Sequence, residues 1–300
     1  MAAADVGPPD ERWPDHLSGA PRAARGLTDV AVVIGEPVEH SLSPTIHNAA
    51  FEALGLDWAY FALAVPRGHA DRAIDAMRAL PFAGMSVTMP HKDAVAGLVD
   101  SCTPVAAKLG AVNCVFWRAD ELVGHNTDGA GLVDALRGDE GFDPDGRRAV
   151  VLGAGGAARA IVLALADAGC AEVTVVNRTA SRAELTARLA GDRGRVGVEA
   201  DVADADLVVN ATSLGMGDGA LPCDPDRLGP GQLVVDLVYD PPITPLVAAA
   251  RDRGVVATNG LGMLIHQAAH AFRSWTGQDA PVAAMSAAAS AELAARRRHA

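Results

Sequence analysis

The chain has 300 residues, half of them hydrophobic, with 25 basic residues against 37 acidic ones and a formal net charge of −12. That length and apolar content allow two cores rather than one, the charge argues against a nucleic-acid partner, and no run is long and apolar enough to span a membrane. The four cysteines, Cys102, Cys114, Cys170 and Cys223, form neither CxxC nor zinc spacing, which fits a reduced, cytoplasmic setting and offers no metal site.

Residues 1–28 are rich in Pro, Gly, Ala and charge and lack the apolar core of a signal peptide, so they read as a disordered leader. A strand over Val30–Ile34 runs into a loop that ends at Ser43-Pro44, where Ser43 is a good helix N-cap and Pro44 a good first helical residue. Ser43 has capping as a plain alternative to binding, whereas Ser41 has no such local task. Two hydroxyls beside a helix N-terminus make a neutral cradle for a small carboxylate. Trp58–Val65 reads as a strand, Gly68–Leu80 as a helix and Ala83–Thr88 as a strand. This βαβαβ rhythm implies a parallel sheet with right-handed crossovers, whose ligands lie beyond the C-terminal strand edge. Thr88, His91 and Lys92 fall at that edge, with Pro90 opening the next helix. Lys92 and Lys108 are the only lysines among the 25 basic residues, and a helix N-terminus is a poor place for a cation. Both points mark Lys92 as functional.

A short helix over Pro104–Leu109 precedes a hairpin, with one strand within residues 110–117 and a second ending at Gly124. The hairpin brings Asn113 and Asp128 to one neighbourhood; Asp128 reads as a cap for a helix beginning at Gly129, as a site residue, or as both. A linker helix and a Gly-Phe-Asp-Pro-Asp-Gly loop mark the domain crossing. The apolar run over Ala149–Ala160 then breaks into Gly153-x-Gly155-x-x-Ala158, a phosphate-binding turn: Gly153 for the reversal, Gly155 for close approach of backbone to pyrophosphate, Ala158 for helix packing. The next strand, Val173–Val176, ends in Asn177-Arg178-Thr179, where NAD-binding versions carry an acid. Arg178, joined by Arg182 on a helix over Ser181–Leu189, suits the 2′-phosphate of NADP, although surface charge is the ordinary fate of an arginine. Strands over Leu207–Asn210 and Leu233–Leu237 bring their trailing residues to the cofactor cleft, with Tyr239 near the domain interface. Val255–Ala257 closes the second sheet. Two helices follow, Met263–Trp275 with Gln267 beside an apolar stripe, and Pro281–Arg298. Neither continues the βα alternation, so both are expected to return to the first domain, with Arg296, Arg297 and Arg298 complementing a helix C-terminus.

Together these segments resemble the shikimate dehydrogenase family from about Val30 to the last helix. The motifs that carry the resemblance are Ser41-Leu-Ser43, Val87-Thr-Met-Pro-His-Lys92, Gly110-Ala-Val-Asn113, Asn126-Thr-Asp-Gly129, Gly153-Ala-Gly-Gly-Ala157, Asn177-Arg-Thr179, Asn210-Ala-Thr-Ser213, and Gly260-Leu-Gly-Met263 with Gln267. The resemblance implies an α/β fold of two domains with a cleft between them. The first is a mainly parallel substrate domain, residues 29–128 plus 262–300, and the second a Rossmann-like NADP domain, residues 129–261. It implies reversible NADPH-dependent reduction of 3-dehydroshikimate to shikimate, on the route to aromatic amino acids, by a cytoplasmic monomer or homodimer.

On matching positions the resemblance implies that Ser41, Ser43 and Tyr239 bind the substrate carboxylate and that Thr88, Asn113 and Gln267 hold ring hydroxyls. Lys92 and Asp128 would flank the reacting oxygen as the catalytic pair. Gly153, Ala154, Gly155, Gly156 and Ala157 would meet the pyrophosphate, and Asn177, Arg178, Thr179 and Arg182 the 2′-phosphoadenosine. Thr212 and Ser213 would line the cofactor cleft, and Leu237, Gly260 and Met263 the nicotinamide side. His91 is given no catalytic role. A quinate or aminoshikimate dehydrogenase of the same family shares the Lys and Asp pair, and Arg178 argues against the NAD-using quinate branch. A non-catalytic shikimate or NADP sensor conflicts with an intact Lys92 and Asp128. An unrelated NADP enzyme such as a folate dehydrogenase leaves Ser41, Ser43, Asp128 and Gln267 unexplained.

Overall fold

The computed structural model describes residues 28–217 and 219–299. The leader lies outside them except for Thr28, whose hydroxyl donates to Asp57. None of the described helices is long and apolar enough to cross a membrane.

The first sheet contains β1 (Asp29–Gly35), β2 (Trp58–Ala64), β3 (Phe82–Val87), β4 (Ser101–Cys102), β5 (Cys114–Arg118) and β6 (Glu121–His125), in the order β2-β1-β3-β5-β6-β4. β1, between β2 and β3, is a Val- and Ile-rich run buried over its last five residues, as a strand covered on both faces requires. β1 pairs in parallel with β2 and β3 through the crossover helices α1 (Ser43–Ala53) and α2 (Ala70–Ala79). β5 and β6 form the hairpin, turning at Ala119, whose φ is 53°. Two short helices, α3 (Lys92–Ala96) and α4 (Pro104–Leu109), lie between β3 and β5.

The second sheet is parallel throughout: β7 (Arg148–Leu152), β8 (Glu172–Val176), β9 (Gly194–Val196), β10 (Leu207–Asn210), β11 (Leu233–Asp236) and β12 (Val256–Asn259), in the order β12-β11-β10-β7-β8-β9. The order reverses at β7, and such a switch point opens a crevice beyond the carboxyl ends of its strands. The glycine turn leaves β7 there and enters α6 (Gly156–Asp167); α7 (Ala180–Ala187) and α8 (Pro245–Asp252) complete the layer.

α5 (Asp128–Gly138) joins the two halves, packed between α6 and α9 (Leu261–Thr276). Two glycines make that approach possible, because a Cβ at Gly129 would lie 2.5 Å from the Ala160 carbonyl oxygen and one at Gly131 would lie 2.5 Å from Gln267 N. α9 and α10 (Val282–His299) lie against the first sheet, where Ile265, Phe272, Trp275, Met285 and Leu293 share a core with Val33, Phe51, Tyr60 and Phe116.

Four local expectations are corrected. Leu42, not Ser43, occupies the N-cap position of α1 and makes no side-chain cap bond, and Pro44 is the helix's second residue. Ser41 does have a local task, since its Oγ accepts from Ser43 N at 3.2 Å. Pro90 lies in the turn before α3, which begins at Lys92. α5 begins at Asp128 itself, because Asn126 Oδ1 accepts the Asp128 amide at 3.1 Å and frees the Asp128 carboxylate for other partners.

Candidate active site

The chain reversals after β3 and β6 bring two charged side chains face to face. Lys92 is the first residue of α3, and its carbonyl accepts from Val112 N at 2.9 Å, tying that helix to the segment that carries Asn113. Lys92 Nζ donates to Asp128 Oδ2 at 2.5 Å. The other carboxylate oxygen accepts from Asn113 Nδ2 at 2.7 Å, and Asn113 Oδ1 accepts from Thr127 N at 2.8 Å. Gln267 on α9 completes the cluster, its Oε1 3.4 Å from Thr127 Oγ1 and 3.5 Å from Asn113 Nδ2. The Asp128 side chain is 7% exposed and that of Lys92 20%, so the carboxylate is enclosed while the ammonium keeps an open side. A buried carboxylate is tolerated when donors meet it, and each oxygen of Asp128 has one. Thr127, fully buried within this network, is not singled out by the sequence reading; its position between Asn126 and Asp128 is the available signal.

Thr88 lies at the end of β3 against Gly35, where a side chain would overlap its methyl group. His91 is buried with Nε2 2.7 Å from the Val65 carbonyl oxygen, a structural placement away from the Lys92 and Asp128 pair. Ser43 is 8% exposed at the start of α1 and Ser41 is half-buried beside it. Beneath them His47 stacks on Tyr60, ring centroids 4.5 Å apart, and burial pushes its pKa down to about 3. Tyr239 follows β11 yet packs against the core of the first sheet. Burial raises its phenol pKa, opposed by the positive charge of Arg296.

Across the crevice, Gly153 adopts φ 114° and donates to the Val176 carbonyl at 2.8 Å, a conformation that L side chains rarely adopt. Gly155 occupies the N-cap position of α6 without any side-chain cap, and a Cβ on it would meet nothing within 4 Å, so the first turn of the helix faces open space. Ala154, Gly156 and Ala157 surround it, and Ala158 is fully buried against the strand layer. Past β8, Asn177 Nδ2 donates to the Thr179 carbonyl at 3.0 Å. Arg178 and Arg182 lie there, with no ion pair to any described residue.

Thr212 is fixed by Asn210, Oγ1 to Oδ1 2.7 Å, and exposed Ser213 follows it. Asn210 in turn donates to the fully buried Asp236 at 2.8 Å, and Thr244 Oγ1 donates to Asp236 Oδ2 at 2.6 Å. Burial raises the Asp236 carboxyl pKa, countered by these donors. This strut under the cleft has no sequence signal beyond its strand-end position. Gly260 lies so tightly on the Leu237 carbonyl that a side chain there would overlap it, and Leu237 and Met263 pack on the second core.

The chain matches three family descriptions: the shikimate dehydrogenase substrate binding domain over residues 33–115, shikimate / quinate 5-dehydrogenase over 139–215, and the shikimate 5′-dehydrogenase C-terminal domain over 260–289. The shikimate dehydrogenase (NADP(+)) of Moorella thermoacetica is 47% identical over 273 residues, which cover 87% of this chain and 92% of that protein. The chain belongs to the shikimate dehydrogenase family. Membership makes it an oxidoreductase built from two α/β units with a cleft between them. The crystal structure of shikimate 5-dehydrogenase from Thermus thermophilus in complex with NADP(H) and shikimate superposes with a TM-score of 0.82 at 38% identity, covering 88% of this chain and 99% of that one. Quinate dehydrogenase from Corynebacterium glutamicum in complex with NAD gives 0.80 at 31% identity, covering 87% and 98%.

Proposed function

We propose that this family member is an NADP-dependent shikimate dehydrogenase that reversibly reduces 3-dehydroshikimate to shikimate in aromatic amino-acid biosynthesis. Residues 29–128 and 262–300 form its substrate domain and residues 129–261 its NADP domain. The observation that carries the reading is the enclosed Lys92 and Asp128 pair, 2.5 Å apart. The four free cysteines agree with a cytoplasmic setting.

The cofactor crevice fits a dinucleotide with a 2′-phosphate. The uncapped, open first turn of α6 offers backbone amides to a pyrophosphate held by Gly153, Ala154, Gly155, Gly156 and Ala157. The guanidinium groups of Arg178 and Arg182, with Asn177 and Thr179, suit a phosphate beside the adenosine. Thr212, Ser213, Leu237, Gly260 and Met263 would line the remaining wall. The bound dinucleotide supplies or accepts a hydride.

The protein's own share of the chemistry lies with Lys92. A ketone that gains a hydride becomes an alkoxide; the ammonium stabilises that charge and then gives up a proton to it, which a guanidinium does not do near neutral pH. In the oxidative direction neutral Lys92 takes the hydroxyl proton. Asp128 keeps Nζ aimed, and Asn113 holds Asp128 from behind. Ser41, Ser43 and Tyr239 donate to the substrate carboxylate, and Thr88, Asn113 and Gln267 hold the ring hydroxyls.

Absorbance at the NADPH band after mixing NADP with shikimate tests the activity directly. Lys92→Ala is expected to lower kcat by about a hundredfold to ten-thousandfold while shikimate still binds. A wild type that binds shikimate but never turns it over would make the protein a sensor instead. Faster turnover of quinate with NAD would place it with the quinate dehydrogenases.

A further inference from the structure

Arg296 lies on α10, beyond residue 289, where the C-terminal family match ends. It does not merely complement the end of its helix. Arg296 Nη1 donates to the His40 carbonyl at 2.8 Å, across 256 residues of sequence, and Nε donates to Glu292 Oε1 at 2.8 Å one turn back. Its side chain is 29% exposed. A guanidinium has five N–H donors, so these two bonds hold the fork in place and leave three without a partner among the described residues.

His40 is the residue before Ser41. The bond from Arg296 therefore restrains the backbone from which the Ser41 and Ser43 hydroxyls project. The charge of Arg296 also acts on the Tyr239 phenol, opposing the rise that burial gives its pKa. Ser41, Ser43 and Tyr239 are neutral, and neutral donors hold a carboxylate less strongly than a set backed by a cation. Glu292 offsets part of the charge, which limits the effect without removing it.

We propose that Arg296 is a positioning and specificity-determining residue for the substrate carboxylate: it fixes the serine loop through the His40 carbonyl and places a positive charge beside that loop. This rests on the assignment of Ser41, Ser43 and Tyr239 to the carboxylate. The test compares shikimate with its uncharged methyl ester, the ester read as an inhibition constant so that it need not turn over. Arg296→Gln is expected to raise KM for shikimate about tenfold and to leave kcat, KM for NADP and the ester constant within about twofold of wild type. Arg296→Lys, which keeps the charge but not the fork, is expected to recover most of the preference for the acid. Ser43→Ala checks the underlying assignment by narrowing the same preference.

If Ser43→Ala narrows it and Arg296→Gln does not, the role of Arg296 is overturned and the loop assignment stands. If neither narrows it, the loop assignment fails. Equal weakening of acid and ester in Arg296→Gln, with a lowered Tm, would reduce Arg296 to a structural contact and overturn the proposal.

Discussion

Arg159, in the first turn of α6, donates through Nη2 to Asp93 Oδ1 at 2.5 Å and through Nη1 to the Leu109 carbonyl at 3.0 Å. Asp93 follows Lys92 in α3, so one guanidinium links the helix that starts at the glycine turn to the helix that carries the ammonium. The Asp93 side chain is 70% exposed, and an ion pair so open to water adds little stability. The contribution expected of it is to alignment. Arg159→Ala and Asp93→Ala are each expected to move Tm by no more than a few degrees yet to lower kcat several-fold, with the double variant no worse than the singles. Wild-type kcat in both singles, by steady-state assay, would remove any role in alignment.

Arg178 stands past the end of β8 without an ionic partner among the described residues, so its charge is available to a ligand. A hydrogen bond from a charged donor contributes about 1.5 to 3 kcal/mol, and about 1.4 kcal/mol is a factor of ten. Arg178→Ala is accordingly expected to reduce the preference for NADPH over NADH by roughly tenfold to a hundredfold. Paired kcat/KM values for the two cofactors check this, and an unchanged ratio would assign the 2′-phosphate elsewhere.

The strands and the glycine turn are legible in the sequence because their causes are local: β-branched runs between turn residues, and a backbone reversal that needs φ above zero at Gly153. Lys92 is legible through its rarity and its awkward place at a helix start. Ser43 reads as a cap but is not one, because the helix starts a residue earlier than expected: Leu42 holds the N-cap position, its carbonyl accepts from Ile46 N, and the Ser43 amide donates to Ser41 Oγ. The contacts of Arg159 and Arg296 cannot be read from their surroundings in sequence, since Asp93 and His40 lie 66 and 256 residues away. No period or motif encodes such a pair; only the reach of Arg159 from α6 to Asp93 and the packing of α10 on α1 create it.

Gly131 is a position where an added methyl group reports on the site. Its Cβ would sit 2.5 Å from Gln267 N and 2.7 Å from Gln267 Cβ, against α9 backbone that has no room to yield cheaply. Gly131→Ala is expected to destabilise the fold by about 1 to 3 kcal/mol and to push Gln267 away from Thr127 and Asn113. KM for shikimate should rise with the fall in Tm. A Tm and KM both equal to wild type would show that α5 and α9 slide apart without cost.

Acid sensitivity follows from two buried histidines. Burial depresses His47 to about 3, and burial with a smaller push from His270 depresses His125 to about 4, whereas an unfolded histidine titrates near about 6.5. Between those values the unfolded chain binds more protons than the folded one, so stability is complete above about pH 6.5 and falls as the pH drops toward about 4. Each histidine contributes a slope of at most about 1.4 kcal/mol per pH unit in that window. Asp100, Asp143, Glu172 and Asp201 are all held below their ordinary values by arginines, so their loss of stability falls at still lower pH. Thermal melts from about pH 7 to about pH 4 should therefore show Tm declining below about 6.5, and His47→Asn or His125→Asn should flatten that decline even while lowering Tm at neutral pH. A wild-type Tm that holds level down to about pH 4.5 would mean that these rings protonate without strain in the folded protein.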